Sequence, residues 1–284
     1  MRSGERSASR HEPSEALVLR SLVIWADWPR GVNASPTPDQ FERRWRDRFA
    51  WYAEHFDDDA SIAGWTETGL ATRFRQFARH FRRSASGERW LDAGCGAGTY
   101  TRYLAALGAN VLGLDYSFPT ASKASRRAVA GTAFCVGDAT NLPVKPASVD
   151  GAICLGVTQA LASSERLVRS LVQAVRPGGE VWVDALNVGC VVHSFSEAKR
   201  KLRGLPPHLR YERPSTLRTL MHAEGLSDVR ILWLPILPAR LQFLQPIFER
   251  PRVVRLLHIF PALGALLSHS FIAYGRRVAG PAVR

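Results

Sequence analysis

The stretch "RWLDAGCGAGTYTRYL", residues 89–104, decides the fold. A short apolar run ends in three glycines at alternate positions, Gly94, Gly96 and Gly98, and a helix-forming run follows. A strand that turns through glycines into a helix presents bare backbone and free N–H groups to a ligand. A dinucleotide loop is spaced G-x-G-x-x-G, and its third glycine would fall on Thr99. The chain contains no Gly-Lys-Ser/Thr, which excludes a Walker phosphate loop. Asp92, at the end of the strand, is more telling. A carboxylate there repels a pyrophosphate and favours a ligand carrying an ammonium group.

Outward from this loop, strand and helix patterns alternate. "NVLGLDYS", "TAFCVGDA", "VDGAICLGV" and "EVWVDAL" have the composition of buried strands. "TYTRYLAALG", "TASKASRRAVA" and "ERLVRSLVQAV" have helical spacing, and "RPGG" is an expected turn. The order predicts an α/β doubly wound sheet, parallel through its core. The second strand ends at Asp115, where a carboxylate can accept hydrogen bonds from ribose hydroxyls. The third ends in "GDA", where Asp138 can accept from an adenine amino group. One acid for an ammonium, one for a ribose and one for a base describe S-adenosylmethionine better than a phosphate-bearing cofactor.

On these residues the chain resembles the class I S-adenosylmethionine-dependent methyltransferases, in particular the small-molecule branch that includes quinone and natural-product methyltransferases. The resemblance implies a Rossmann-like class I methyltransferase fold. Its seven-stranded, mostly parallel sheet would carry helices on both faces and helical additions at both ends. It makes "LDAGCGAG" the first motif, with Gly94 and Gly96 letting the backbone approach the methionine part. It also implies Asp115 on the ribose, Tyr116 near the adenine, Asp138 and Ala139 on the adenine edge, and Leu155 beside the cofactor. Two departures stand out: Ala160 lies near the place where many relatives carry a histidine, and Lys145 replaces an acidic turn.

The net charge of +13 is uneven. Residues 191–284 hold 15 Lys/Arg against 5 Asp/Glu, whereas residues 91–190 hold 8 against 7. A basic tail meets acidic partners or simply keeps the protein soluble. Cys95, Cys135, Cys154 and Cys190 form no ligand spacing, so neither a metal site nor a disulfide framework is expected, and a reducing, cytoplasmic setting is.

Four regions are expected: an extension at 1–36, partly disordered; a helical cap at 37–87, with Asp39 capping its first helix; a cofactor-binding α/β core at 88–190; and the rest of the sheet at 191–284. The last region carries a basic, apolar insertion at about 235–268. Trp45, Phe49, Trp51, Tyr52 and Trp65 of the cap are expected to cover the cofactor.

A methyltransferase for an apolar or amphipathic small molecule is the expected function. The alternatives are an RNA or nucleic-acid methyltransferase using the basic last third, and a non-catalytic cofactor-binding protein. Against nucleic acid, "LGVT" stands where base-amino methyltransferases carry Asp/Asn-Pro-Pro-Tyr/Phe, and Cys154 lies inside an apolar strand. The insertion, where Arg250, Arg252 and Arg255 are interspersed among apolar residues such as Phe243, Ile247 and Phe260, suits either peripheral membrane contact or a lid or packed helical hairpin over an apolar substrate. The uncharged run from Leu256 to Gly275 has the length of a membrane span, but Pro261 and Gly264 interrupt it. His193, Tyr211 and His222 are candidates for a general base, and none is assigned.

Overall fold

Thr37 opens the first described helix, α1 (Pro38–His55), in a computed structural model that describes residues 37–81, 83–204, 209–237 and 239–278. The Thr37 hydroxyl accepts from the Gln40 N–H at 3.3 Å, and the Gln40 carboxamide accepts from the Thr37 N–H at 3.1 Å. This reciprocal box satisfies two orphan donors. Asp39, expected as the cap, lies in the first turn instead, where its charge still favours the helix end. The expectation for residues 1–36 falls outside the described residues.

Asp58 caps the short α2 (Asp59–Ile62), and Thr66 caps α3 (Glu67–His80). The alternating region follows as β1 (Arg89–Ala93), α4 (Thr99–Ala106), β2 (Asn110–Asp115), α5 (Phe118–Arg126), β3 (Thr132–Val136) and β4 (Val149–Cys154). It continues through α6 (Glu165–Ala174), β5 (Val175–Leu186), α7 (Val191–Leu202), α8 (Pro214–Ala223) and β6 (Leu226–Leu234). Three short helices, α9 (Gln245–Phe248), α10 (Pro251–Ile259) and α11 (Pro261–Leu267), precede β7 (Ser270–Arg277).

The seven strands form one sheet in the order β3-β2-β1-β4-β5-β7-β6. β7 runs antiparallel to both its neighbours, and the other pairings are parallel. The chain reverses its direction of travel across the sheet between β1 and β4, and ligands bind beside such a switch point.

Both faces of the sheet are covered. On one, Phe77, Phe81, Leu104, Trp90 and Trp182 pack together, with Trp182 stacked on Tyr274 at 4.1 Å. Gly151 makes room for Trp90, whose ring would lie 2.4 Å from any Cβ there. On the other, Leu167, Val168 and Leu171 of α6 pack with Leu217, Met221 and the inward residues of β4 and β5.

Two local expectations change, and the interruption of the uncharged run is found. "RPGG" is not a separate turn: it bulges within β5, because Val175 pairs with Val149 before Glu180 pairs with Gly151. The stretch "SEAKRKLRGL", residues 196–205, reads from the sequence as a basic helix, but the helix starts earlier, at Val191. The long uncharged run is divided among α10, α11 and β7, broken at Phe260–Pro261. No helix among the described residues is long and apolar enough to cross a membrane.

The insertion docks on the cap. Glu249, 6% exposed, accepts from Thr72 Oγ1 at 2.8 Å and from Arg75 Nε and Nη2 at 2.7 Å each, and Arg79 donates to its carbonyl at 2.7 Å. A bidentate guanidinium–carboxylate pair fixes orientation as well as distance, so α3 and α9 move as one piece.

Candidate functional site

Gly94, Gly96 and Gly98 all adopt positive φ, at 78°, 54° and 85°. The resulting loop is stitched to the end of β2. Gly94 and Cys95 both donate to the Leu114 carbonyl, at 2.7 and 2.9 Å, and Gly96 donates to Asp115 Oδ2 at 3.0 Å. The other Asp115 oxygen accepts from the Ser117 N–H at 2.9 Å. Two of the glycines serve different needs. A Cβ on Gly94 would stand 2.1 Å from Val157 Cγ2, whereas one on Gly96 would meet nothing within 4 Å. Gly94 allows internal packing, and Gly96 leaves its backbone open to a cleft.

That cleft has a volume of about 810 Å³ including its open mouth. Gly94, Gly96, Asp115, Tyr116, Asp138, Ala139 and Leu155 all line it. The structure thus brings seven of the eight residues singled out from the sequence to one surface. Asp92 is the exception. It is 1% exposed beneath the loop, where Thr101 Oγ1 of α4 donates to its Oδ2 at 2.6 Å. The expected direct contact between Asp92 and an ammonium group is therefore corrected: the strand ends one residue beyond it, and its side chain points under the turn.

Burial pushes the Asp92 carboxyl up to about 7, with the nearby Asp115 charge adding to the effect. Burial also raises Asp115, against the two backbone N–H groups that favour its ionised form. At Asp138 the Oδ1 atom accepts from both the N–H and the hydroxyl of Thr140 at 2.8 Å, leaving Oδ2 toward Arg46 Nη2 at 3.9 Å.

The cap supplies residues that sequence reasoning missed. Arg46 of α1 lies over the Tyr116 ring at 4.1 Å and donates to its hydroxyl at 3.2 Å. Glu42 accepts from the Ala162 N–H at 3.0 Å and so ties α1 to the loop after β4. Both line the cleft with Ile62. Their only signal in the sequence was a run of charged residues on an amphipathic helix. Of the five aromatics expected over the cofactor, Trp45, Phe49 and Trp65 line the cleft. Trp51 instead stacks on His55 at 4.1 Å and Tyr52 is 8% exposed, so these two pack within the cap.

None of the three base candidates lines the cleft. His193 and Tyr211 stack on each other at 3.3 Å, burial lowering the first and raising the second, to about 12. His222 lies within hydrogen-bond distance of the Leu226 carbonyl at 2.9 Å, in the turn before β6. Among the described residues no cluster of His, Cys, Asp or Glu could hold a metal ion. Burial pushes the Cys95 and Cys154 thiols well up, away from the reactive thiolate.

Comparison with known proteins agrees with this geometry. Residues 91–183 match the family model described as a methyltransferase domain. A ubiquinone biosynthesis O-methyltransferase of Idiomarina loihiensis is 28% identical over 151 residues, which cover 50% of this chain and 62% of that protein. A malonyl-[acyl-carrier protein] O-methyltransferase of Pectobacterium atrosepticum is 35% identical over 116 residues, covering 40% of this chain and 44% of that protein. The chain spans less than two thirds of the length of the curated relatives it matches. Among solved structures, magnesium protoporphyrin IX methyltransferase of Synechocystis superposes with a TM-score of 0.57 at 17% identity, covering 84% of this chain and 99% of that one. Residues 91–183 thus match a methyltransferase domain, and the fold around them is the one shared by solved S-adenosylmethionine-dependent methyltransferases.

Two predictions follow from the loop. Gly94→Ala costs about 3 kcal/mol from left-handed strain and overpacking, read by urea unfolding, and Val157→Ala in the same chain recovers part of it. Asp92 adds a pH dependence. Its carboxyl ionises near 4 in the unfolded chain and at about 7 in the fold. Between these values the folded state holds a proton that the unfolded state has released, so stability falls as pH rises through that window. Asp92→Asn removes this slope, and its stability relative to wild type therefore rises between pH 5 and pH 8.

Proposed function

We propose that the protein is an S-adenosylmethionine-dependent methyltransferase acting on an apolar or amphipathic small molecule. The observation that carries this reading is the carboxylate of Asp115, aimed into the cleft beside the open backbone of Gly96. Each of its oxygens already accepts one backbone N–H and retains a lone pair for a ribose hydroxyl. The cradle fits the cofactor at every other point as well. No side chain fills the space over Gly96, and Tyr116, Leu155, Asp138 and Ala139 line the same cleft, where the first two would flank the base and the last two would meet its edge. Asp92 acts from below, accepting from Thr101 Oγ1 and so fixing α4 beneath the loop.

The cofactor supplies a methyl group on a positively charged sulfur. The chain's own task is to place an acceptor and to exclude water. Trp45, Phe49, Ile62, Trp65 and Leu161 give the cleft an apolar wall suited to that acceptor. A lipid-linked, quinone-like or polyketide-like molecule would suit this surface, and the quinone-like option is supported by the ubiquinone biosynthesis O-methyltransferases among its relatives. No side chain is assigned as general base.

Peripheral membrane contact belongs to the same proposal. Phe243, Ile247, Leu256, Ile259 and Phe260 are exposed at 75, 45, 44, 61 and 55%, and Arg250, Arg252 and Arg255 are exposed in the same segment. Apolar side chains among arginines suit the boundary of an anionic bilayer.

Calorimetric titration with S-adenosylhomocysteine tests the first part. Wild type binds in the micromolar range, and Asp115→Ala weakens binding by roughly a hundredfold, the loss of two hydrogen bonds to a charged group. A folded wild type that does not bind would overturn the assignment. For the membrane, co-sedimentation with phosphatidylserine vesicles is expected to be salt-sensitive and to be abolished by Phe243→Ser combined with Phe260→Ser. Equal sedimentation with neutral vesicles would argue against it.

A further inference from the structure

A closed ring of contacts lies behind one wall of the cleft. Trp65, in the turn between α2 and α3, lines that wall. The guanidinium carbon of Arg73 on α3 lies 3.5 Å from the Trp65 ring centroid. Arg73 Nε stands 3.5 Å from Asp184 Oδ2 on β5, and Asp184 Oδ1 accepts from the Gly156 N–H at 2.6 Å. Gly156, in the loop after β4, returns the ring to its start: a Cβ there would meet Trp65 Nε1 at 3.3 Å, at a φ of +97°. The cap, the loop after β4 and β5 are therefore joined at one point, and two of the four residues, Trp65 and Gly156, face the cleft.

Stability alone is a weak reason for this arrangement. Arg73 and Asp184 are 2% and 1% exposed, and a buried ion pair is commonly no more stabilising than apolar residues of the same volume. Nor is the pair fully engaged. Arg73 Nε and Nη2 and Asp184 Oδ2 make no hydrogen bond, and Arg73 Nη1 reaches only the Gly69 carbonyl, at 3.3 Å. A charge-assisted pair closes to about 2.8 Å, so the pair has room to tighten. Gly69 and Arg73 are both on α3, so the pair couples this helix, and the Trp65 ring stacked on Arg73, to β5.

We propose that Arg73 and Asp184 are positioning residues for methyl transfer: the pair holds Trp65 against Gly156 as the wall of the acceptor subsite and tightens when the cleft fills. This rests on the methyltransferase reading above. Asp184 sets the loop after β4 through the Gly156 N–H, and Arg73 sets the indole through its face. Occupation of the cofactor cleft is thereby transmitted to the cap, the element that carries most of the apolar wall.

Hydrogen–deuterium exchange of the full chain, with and without saturating S-adenosylhomocysteine, tests the pair. In wild type the ligand slows exchange in residues 94–98 and also in residues 60–80, the latter by about fivefold or more, as expected when a local opening is suppressed. In Arg73→Met, and in Arg73→Met combined with Asp184→Asn, which leaves no charge unpaired, protection of 94–98 persists and that of 60–80 is lost. Arg73→Lys keeps the charge but not the flat stack, and restores part of the protection. A purely structural role would lower the melting temperature in these variants without changing the ligand-dependent difference. Full protection of 60–80 in a natively melting double variant would overturn the pair's role while leaving the cofactor assignment intact. A wild type that fails to bind S-adenosylhomocysteine would overturn both.

Discussion

The rest of the site depends on how the glycine loop is stitched to the end of β2. One carbonyl, that of Leu114, receives two successive N–H groups of the loop, and the next side chain, Asp115, receives a third. Three consecutive amides can converge in this way only because Gly94 and Gly96 take up left-handed conformations that residues with a Cβ strongly disfavour. The stitching orients the Asp115 carboxylate, opens the Gly96 backbone, and turns the chain into α4, which packs back on the sheet through Tyr100 and Leu104. Val157 then closes over Gly94 from the β4 side, so the loop is held from two strands at once.

The same device recurs along the sheet. Asp115 beyond β2 holds the Gly96 N–H, Asp138 beyond β3 holds Thr140, and Asp184 within β5 holds the Gly156 N–H. In each case a carboxylate near a strand end accepts from the backbone of a loop and fixes its path. Parallel strands place all these loops at one edge, so a row of fixed loops becomes a cleft. The carboxylates also carry a cost. Burial raises the pKa of Asp92, Asp115 and Asp184, so the loops are ordered at the expense of desolvated charge.

The cap uses polar contacts for a related purpose. Arg46, Arg73 and Glu249 each join an element outside the alternating core to a partner distant in sequence: Tyr116, Asp184 and Arg75. Apolar packing alone would tolerate sliding of α1 and α3 over the sheet. Paired charges tolerate it less, because a shift would separate Arg73 from Asp184 or strip the buried Glu249 of its donors. The geometry of the cleft wall is therefore more tightly specified than its apolar lining would require.

The sequence by itself determined the alternating core, the loop and seven of the residues that line the cleft. Those features are local: glycine spacing sets backbone conformation, apolar periodicity sets element type, and a residue just after a parallel strand must lie at the ligand edge. Even Asp92 was correctly placed at a strand end, but the side of the turn to which its carboxylate points depends on Thr101, nine residues on. Where the cap and the insertion dock, and through which charged contacts, was decided only by the tertiary structure. Arg46 on Tyr116 and Arg73 between Trp65 and Asp184 join residues 70 and 111 positions apart. No periodicity records such a pairing, because an amphipathic helix specifies which face it buries and leaves open where on the sheet that face comes to rest.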